Sequence, residues 1–383
     1  MDPLIIIGTG IAGYTLAREF RKLDKESPLL IVTADDGRSY PKPMLSNALT
    51  KGKTAEQIAM FDASAMAKTL DAEIMTHCLI GQVDTEHQSI HVQGKNRSYK
   101  QLVFAVGASP VRLPIQGDAE NDILSVNDLL DYTRFRDALE GANHVALIGP
   151  GLIGCEFAND LANSGFKVSV IGPDPYPMST LLPEPIAKEL AEKLLSKGVI
   201  WHLNAVTESI NKRAEGYELD LSSGDKITAD IVISAVGLRA NIKLAQAAGL
   251  AVNRGIVTDN FLQTSKKNIF ALGDCAEVSG HNLLFIAPIL AAARALAKTL
   301  AGDKTKVIYP AMPIAIKTPS YPLVISPPEN SQEGSWSFEK PESGFGIKGL
   351  FFSPDNLLLG FVLSGDTVTE KQALSKQLPA VLS

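Results

Sequence analysis

Two glycine runs carry the residues whose types and spacing suit a chemical task. Gly8-Thr9-Gly10-Ile11-Ala12-Gly13 follows the apolar run Leu4 to Ile7 and leads into a helical stretch from Tyr14 to Leu23. A buried strand, a tight glycine turn and a helix are the three parts that a dinucleotide pyrophosphate needs. Gly8 allows the turn, Gly10 lets the backbone approach the phosphates, and Gly13 lets helix and strand pack closely. The free N–H groups of the helix start, at Ile11 and Ala12, face the anion. A glycine-bearing turn with no ligand would use the same residues, so one such run decides little. The next strand, Leu29 to Thr33, ends in Ala34-Asp35-Asp36. A carboxylate there would accept ribose hydroxyls; Asp35 is preferred and Asp36 is the alternative, and both also suit a plain turn.

The pattern then repeats. Val145 to Ile148 leads into Gly149-Pro150-Gly151-Leu152-Ile153-Gly154, Cys155-Glu156-Phe157-Ala158 opens the helix, and a strand over Lys167 to Ile171 follows. Two complete units predict two bound dinucleotides. Each is followed by an apolar strand ending in small residues and glycine, Leu102 to Ala108 with Ala105 and Gly107, and Ile231 to Gly237. This self-similarity points to a duplicated domain with one copy inserted in the other. A further short strand, Asn268 to Ala276, closes on Gly273-Asp274.

The elements that must position these residues fit the composition. At 383 residues the chain is long enough for two or three domains, on a prior of about 150 residues each. Its 45% hydrophobic and 20% charged residues describe an ordinary folded globule. The net charge of -6, with no run of five Lys or Arg, lacks the footprint of a nucleic-acid binder. The start, Met-Asp-Pro-Leu-Ile-Ile-Ile-Gly, reads as a strand and not as a leader. The apolar stretch Leu283 to Ala301 holds Pro288, Arg294 and Lys298, so it reads as a buried helix and not as a membrane crossing. Cys78, Cys155 and Cys275 are far apart, which argues against a disulfide framework, a zinc site and a local redox pair, and favours a reducing cytoplasm. The six histidines have no metal-binding spacing, so no metal is expected. Residues from about 311 to 383 read as an antiparallel sheet with a final helix near Thr369 to Gln377.

Together these stations resemble the two-dinucleotide-binding-domain flavoprotein oxidoreductases of the glutathione reductase superfamily, over residues 1 to 300. The resemblance implies an α/β fold of two Rossmann-like FAD- and NAD(P)-binding domains, the second inserted in the first, and a small α+β C-terminal domain. The expected boundaries are 1–115 with 240–310 for FAD, 116–239 for NAD and 311–383 for an interface domain. By resemblance Gly8, Gly10, Ile11, Ala12, Gly13, Asp35, Val83, Ala105, Gly107, Gly273 and Asp274 contact FAD, with Asp274 on the ribityl chain. Gly149, Gly151, Leu152, Ile153, Gly154, Glu156 and Gly237 go to the nicotinamide nucleotide, with Glu156 near its carboxamide end. A helix beginning near Leu283 to Phe285 would aim its N-terminus at the flavin.

The electron acceptor separates the branches of this superfamily. Its disulfide reductases need a cysteine pair beside the flavin, and its oxidases and peroxidases need one redox cysteine near residues 40 to 50. This chain has neither. Arg38-Ser39-Tyr40-Pro41-Lys42-Pro43-Met44-Leu45-Ser46 stands there instead and is similar to the stretch found in reductases of iron proteins. The likeness implies rubredoxin or a similar small acidic iron protein as acceptor, flavorubredoxin or ferredoxin as alternatives, an alkane hydroxylase downstream, a basic rim near the flavin, and a monomer or weak homodimer. Asn47 stands where related reductases carry a lysine, so Lys42 and Lys317 are expected to supply the catalytic positive charge. After Ile171 the acid expected at the strand end is replaced by Gly172, followed by Pro173-Asp174; no Arg or Lys awaits a 2'-phosphate, which favours NADH over NADPH.

Overall fold

The computed structural model describes residues 1–329 and 331–383. The strands that flank the first glycine run are apolar at every position, as strands covered on both faces require. Leu4–Ile7 lies at the centre of a five-stranded parallel sheet in the order Ile269–Ala271, Gln101–Phe104, Leu4–Ile7, Leu29–Val32, Glu73–Met75. The second unit copies the plan in a four-stranded parallel sheet, Val199–His202, Lys167–Ile171, His144–Ile148, Ile231–Ser234. A three-stranded antiparallel meander is inserted at the same point of each copy, over Ile80–Ser98 in the first and Thr207–Ala229 in the second. The strand Ile269–Ala271 returns to the first sheet after the whole second unit, so the insertion read from the sequence is visible in the pairing itself. Two short antiparallel strands, Ala108–Pro110 and Leu238–Ala240, pair where the chain passes between the units.

Both glycine helices begin earlier than the sequence suggests. They run Ile11–Leu23 and Leu152–Asn163, so the last glycine of each motif lies inside the first turn. The apolar helix expected after Leu283 spans Ile286–Leu300 behind its N-cap Phe285. No helix of the described residues is long and apolar enough to cross a membrane.

Packing follows strand period. In the second sheet Val145 and Leu147 face one core while Ala146 and Ile148 face another, because alternate side chains leave a strand on opposite faces. The first of these cores is shared by three parts of the chain. It takes Leu45, Ala48, Ala55 and Ile58 from the segment after the first unit's second strand, and Ile316, Tyr321, Leu323 and Ile325 from the C-terminal unit. That unit is a five-stranded antiparallel sheet, Ile314–Ile316, Leu323–Ser326, Leu358–Ser364, Lys348–Phe352, Ser335–Glu339, followed by a short helix, Lys371–Ser375. The final helix is thus shorter than expected, since a 3-10 turn occupies Gly365–Glu370.

Candidate functional site: two cradles and a carboxylate seam

Each glycine run forms a cradle at the C-terminal ends of its parallel strands. Gly8 and Gly149 have φ of +112° and +110°, a backbone that side chains disfavour. A Cβ on Gly8 would lie 2.3 Å from the Ala105 carbonyl oxygen, and one on Gly149 would lie 2.7 Å from that of Ala235. Gly13 and Gly154 are closed off too: their Cβ atoms would fall 2.0 and 1.9 Å from the carbonyl oxygens of Gly8 and Gly149. The middle glycines differ. A Cβ on Gly10 or Gly151 would meet nothing within 4 Å, and both have extended backbones at a helix N-cap. Packing within the chain does not require glycine there, whereas a ligand brought against the helix start does. Gly273 completes the first cradle, since its Cβ would sit 2.7 Å from that of Ala12.

Beyond the second strand the two units match bond for bond. Gly8 N donates to Val32 O and Gly149 N to Ile171 O; Thr33 N donates to Met75 O and Gly172 N to His202 O. His77 N then donates to Asp35 O, and Asn204 N to Asp174 O. Asp174 therefore occupies the register of Asp35, three residues past the strand end in both copies, and the acid that the sequence reading placed at Gly172 and found missing is present two residues on. Gly172 is required by its neighbour: a Cβ there would lie 2.1 Å from Cδ of Pro150. In the first unit the same two places hold Thr9 and Thr33, whose hydroxyls reach Asp35 Oδ1 at 2.9 and 2.7 Å. Gly37 N also donates to that oxygen, at 2.9 Å. Asp36 is taken up by Arg38, whose Nε donates to its Oδ2 at 2.7 Å. Ser179 Oγ donates to Asp174 Oδ1.

Asp274 and Lys42 come together beside the first cradle. Burial pushes the Asp274 carboxyl up, opposed by the Lys42 ammonium, and burial pulls Lys42 down, opposed by Asp274, Asp128 and Asp131. Lys42 Nζ donates to Asn127 Oδ1 at 2.8 Å. The sequence reading missed Asn127, which lies 85 residues away and carries no motif.

Glu156 forms the seam of the molecule. It sits on the second glycine helix with no exposure to solvent, and its partners come from the two other parts of the chain. Ser46 Oγ donates to Oε2 at 2.6 Å, Lys317 N to Oε1 at 2.9 Å, and Lys317 Nζ to Oε2 at 2.5 Å. A buried carboxylate persists when paired and hydrogen-bonded in this way. Lys317 is thus bound to Glu156, and the two residues read separately from the sequence act as one ion pair. Ile153 is 41% exposed and Leu152 half-buried in the same helix's first turn, whereas the Val83 side chain lies in the core of the first unit. Gly107 and Gly237 lie three residues past the ends of the matching strands with φ of +65° and +109°, in open space.

All three thiols are buried and unpaired with one another. Cys155 Sγ donates to Pro150 O, and Cys275 Sγ lies 3.3 Å from Leu272 O. Burial raises both, Cys275 to about 12, which suits packing residues and opposes thiolate chemistry.

The model of the pyridine nucleotide-disulphide oxidoreductase family matches residues 2–298, which is the whole stretch that carries both cradles. The chain belongs to this family. A second model, for a rubredoxin binding C-terminal domain, matches residues 306–378 of this pyridine nucleotide-disulphide oxidoreductase. A rubredoxin-NAD(+) reductase of Alcanivorax borkumensis is 45% identical to it over 383 residues, covering all of both chains. A nitric oxide reductase FlRd-NAD(+) reductase of Vibrio vulnificus is 38% identical over 377 residues and 98% of each chain. Among solved structures, a putidaredoxin reductase-putidaredoxin complex superposes with a TM-score of 0.89 over 99% of this chain and 94% of that one, at 23% identity, a likeness of fold. This oxidoreductase uses FAD and NAD(H), and the cradles fit them, since each leaves open space where a dinucleotide needs it and a carboxylate where a ribose needs it.

The expected basic rim is not supplied by the C-terminal unit. Residues 311–383 hold five Lys and no Arg against seven Asp and Glu, a net of -2. Three of those lysines are paired: Lys317 with Glu156, Lys340 with Glu189, and Lys348 with Glu339 and Glu370.

Proposed function

We propose that this oxidoreductase takes hydride from NADH and passes electrons singly to rubredoxin or a small acidic iron protein of that kind. The observation that carries the reading is the seam at Glu156, where the second cradle's helix, the segment after the first cradle and the acceptor-facing unit meet at one carboxylate. The match of residues 306–378 to a rubredoxin binding domain supports the acceptor, and the burial of every thiol opposes a disulfide or peroxide route. FAD supplies the chemistry of accepting a hydride and giving up electrons one at a time.

The chain's own residues bind, orient and bias. Gly8, Gly10 and Gly13, with the helix-start N–H groups of Ile11 and Ala12, hold the pyrophosphate of FAD. Asp35 takes its ribose through Oδ2, because Oδ1 is already occupied by three donors. Asp274 takes the ribityl chain, with Lys42 beside it. Gly149, Gly151 and Gly154 hold the pyrophosphate of NADH. Asp174 takes the adenosine ribose and repels a 2'-phosphate, a role supported by its shared register with Asp35. Glu156 faces the nicotinamide carboxamide, and Lys317 fixes its charge. Three buried free thiols suit a reducing cytoplasm.

Hydrogen bonds to charged groups contribute about 1.5–3 kcal/mol. Asp174→Ala is therefore expected to raise the half-saturating NADH concentration about 10- to 100-fold and to narrow the preference for NADH over NADPH. An unchanged preference in parallel titrations would remove Asp174 from the ribose site.

Anaerobic rapid mixing tests the function as a whole. The protein reduced by NADH is mixed with rubredoxin, ferredoxin or peroxide. Reoxidation is expected to be fastest with rubredoxin and to take two molecules per flavin; a faster reaction with peroxide sinks the reading. The Vibrio relative supports a flavorubredoxin as a second acceptor at the same site, and a competition assay against rubredoxin ranks the two.

A further inference from the structure

The second glycine helix, Leu152–Asn163, carries a polar stripe that its own unit does not use. Glu156, Asn159, Asp160 and Asn163 recur at helical spacing on one face, and the first three are at most 3% exposed. Each takes donors from another part of the chain. Glu156 accepts from Lys317 N, and Asn159 Oδ1 accepts from Ser320 N at 3.2 Å. Asp160 accepts from Leu49 N at 2.9 Å through Oδ2, and through Oδ1 from Thr50 N at 3.0 Å and Thr50 Oγ1 at 2.5 Å.

Asp160 is the unusual member. It is a buried carboxylate to which no cation is bonded among the described residues, held by main-chain N–H groups and one hydroxyl. Burying a carboxylate is costly and these donors offset that cost, while apolar side chains in the shared core already join the same segments, so its presence calls for a reason other than adhesion. Donors fixed in the backbone define direction and distance far more sharply than apolar contact does. The other links between the two nucleotide units are the apolar contacts of Leu45, Ala48, Ala55 and Ile58 in the shared core, single side-chain bonds such as Ser46 to Glu156, and three paired residues in Ala108–Pro110 and Leu238–Ala240. Hydride transfer demands that the donor and acceptor rings be held at near-contact, and a misplacement of about 1 Å can cost ~100-fold.

We propose that Asp160 is a positioning residue: by capturing the N–H groups of Leu49 and Thr50, it sets the distance between the two nucleotide sites. This rests on the reading of the two cradles as sites for FAD and NADH, and it is independent of which protein takes the electrons. Asp160→Ala and Thr50→Val each remove donors or acceptors from the clasp, and Asp160→Asn retains one carbonyl oxygen for it.

The test joins hydrogen exchange with anaerobic flavin reduction, all in the full-length holoprotein. Asp160→Ala is expected to lose amide protection at residues 47–51 and to slow the limiting rate of flavin reduction by NADH about 10- to 100-fold. The half-saturating NADH concentration should stay within about threefold, and flavin reduced chemically should pass electrons to ferricyanide at the parental rate. Asp160→Asn should fall between, and Thr50→Val should show a smaller loss of the same kind. If Asp160→Ala fails to retain FAD, the exposed Thr50→Val substitution carries the test. A limiting rate within twofold of the parent despite lost protection, or protection that does not change, overturns the proposal. Failure of the cradle reading would show differently, as flavin that NADH cannot reduce even in the parent protein.

Discussion

Replacing Gly151 by valine is expected to give a folded flavoprotein that NADH can no longer reduce. The backbone at Gly151 is extended, with φ of -74° and ψ of -173°, and a Cβ there would meet nothing within 4 Å. The Cβ of valine thus adds no clash within the chain, and its methyl groups are expected to extend into the space proposed for the NADH pyrophosphate. Loss of about two charge-assisted hydrogen bonds from the helix start removes roughly 3–6 kcal/mol, which corresponds to about 10²- to 10⁴-fold in the second-order rate of flavin reduction. Bound FAD, the melting temperature and reduction by dithionite should be unchanged. Gly10→Val is the mirror experiment and should yield folded protein without flavin. Gly154→Ala should behave in a third way, because its Cβ would fall 1.9 Å from the Gly149 carbonyl oxygen and the second unit must distort to admit it. Should Gly151→Val be reduced by NADH at near the parental rate, the second cradle does not hold the nicotinamide nucleotide.

Lys317→Ala should weaken the fold as well as the reaction. Its ammonium is the only cation bonded to Glu156 among the described residues, and Glu156 is fully buried. Removing one partner of a buried pair costs about 3–5 kcal/mol, because the other is left charged and dry. The Lys317 side chain is itself 27% exposed, so water can partly replace it and the lower end of that range applies. Glu156→Gln should relieve much of the loss, and a double-mutant cycle from urea midpoints should give a coupling of about 2 kcal/mol or more. A coupling below about 0.5 kcal/mol, typical of surface pairs, would show that the seam does not behave as a buried one. The same variants should slow flavin reduction by NADH, since the carboxylate proposed to face the carboxamide loses its orientation.

The fold was legible from the sequence wherever one period dominated. Apolar runs such as Leu4-Ile5-Ile6-Ile7 admit only a covered strand once glycines follow, and the repeat of the whole pattern revealed the insertion. Helix starts were read too late because Ile11-Ala12-Gly13 and Leu152-Ile153-Gly154 mix β-branched residues with glycine, both poor helix formers. Those residues are helical here because the turn presents N–H groups and because Gly13 and Gly154 must touch the turn's own carbonyls. The strand Ser335–Glu339 does alternate, with Trp336 and Phe338 between polar residues, but it is an edge strand exposed at most positions and lacks the apolar run that marks the strands beside it.

The site was legible as motifs and illegible as contacts. Asp174 escaped because the proline in the second glycine run forces a glycine opposite it, and that glycine stands where an acid was sought. Thr9 with Thr33, and Pro150 with Gly172, solve the same steric problem in two ways, which no single-strand reading reveals. Ser46 and Lys317 lie 110 and 161 residues from Glu156, and Leu49 and Thr50 lie 111 and 110 residues from Asp160. Chemistry that depends on such separations emerges only when the sheets and the shared core bring the segments together.

The way Lys317 grips Glu156 also limits how this protein can be recombined. Because both its main-chain N–H and its ammonium bond one carboxylate of the nucleotide-binding body, residues 311–383 are no interchangeable adaptor. A chimera built to serve a new electron acceptor would leave Glu156 buried without its cation unless the incoming module brought a lysine to position 317, with the preceding strand, Ile314–Ile316, in the same register. Exchange of loops at the far edge of that sheet, around Ser335–Glu339, leaves the grip untouched and is the safer route to altered partner choice.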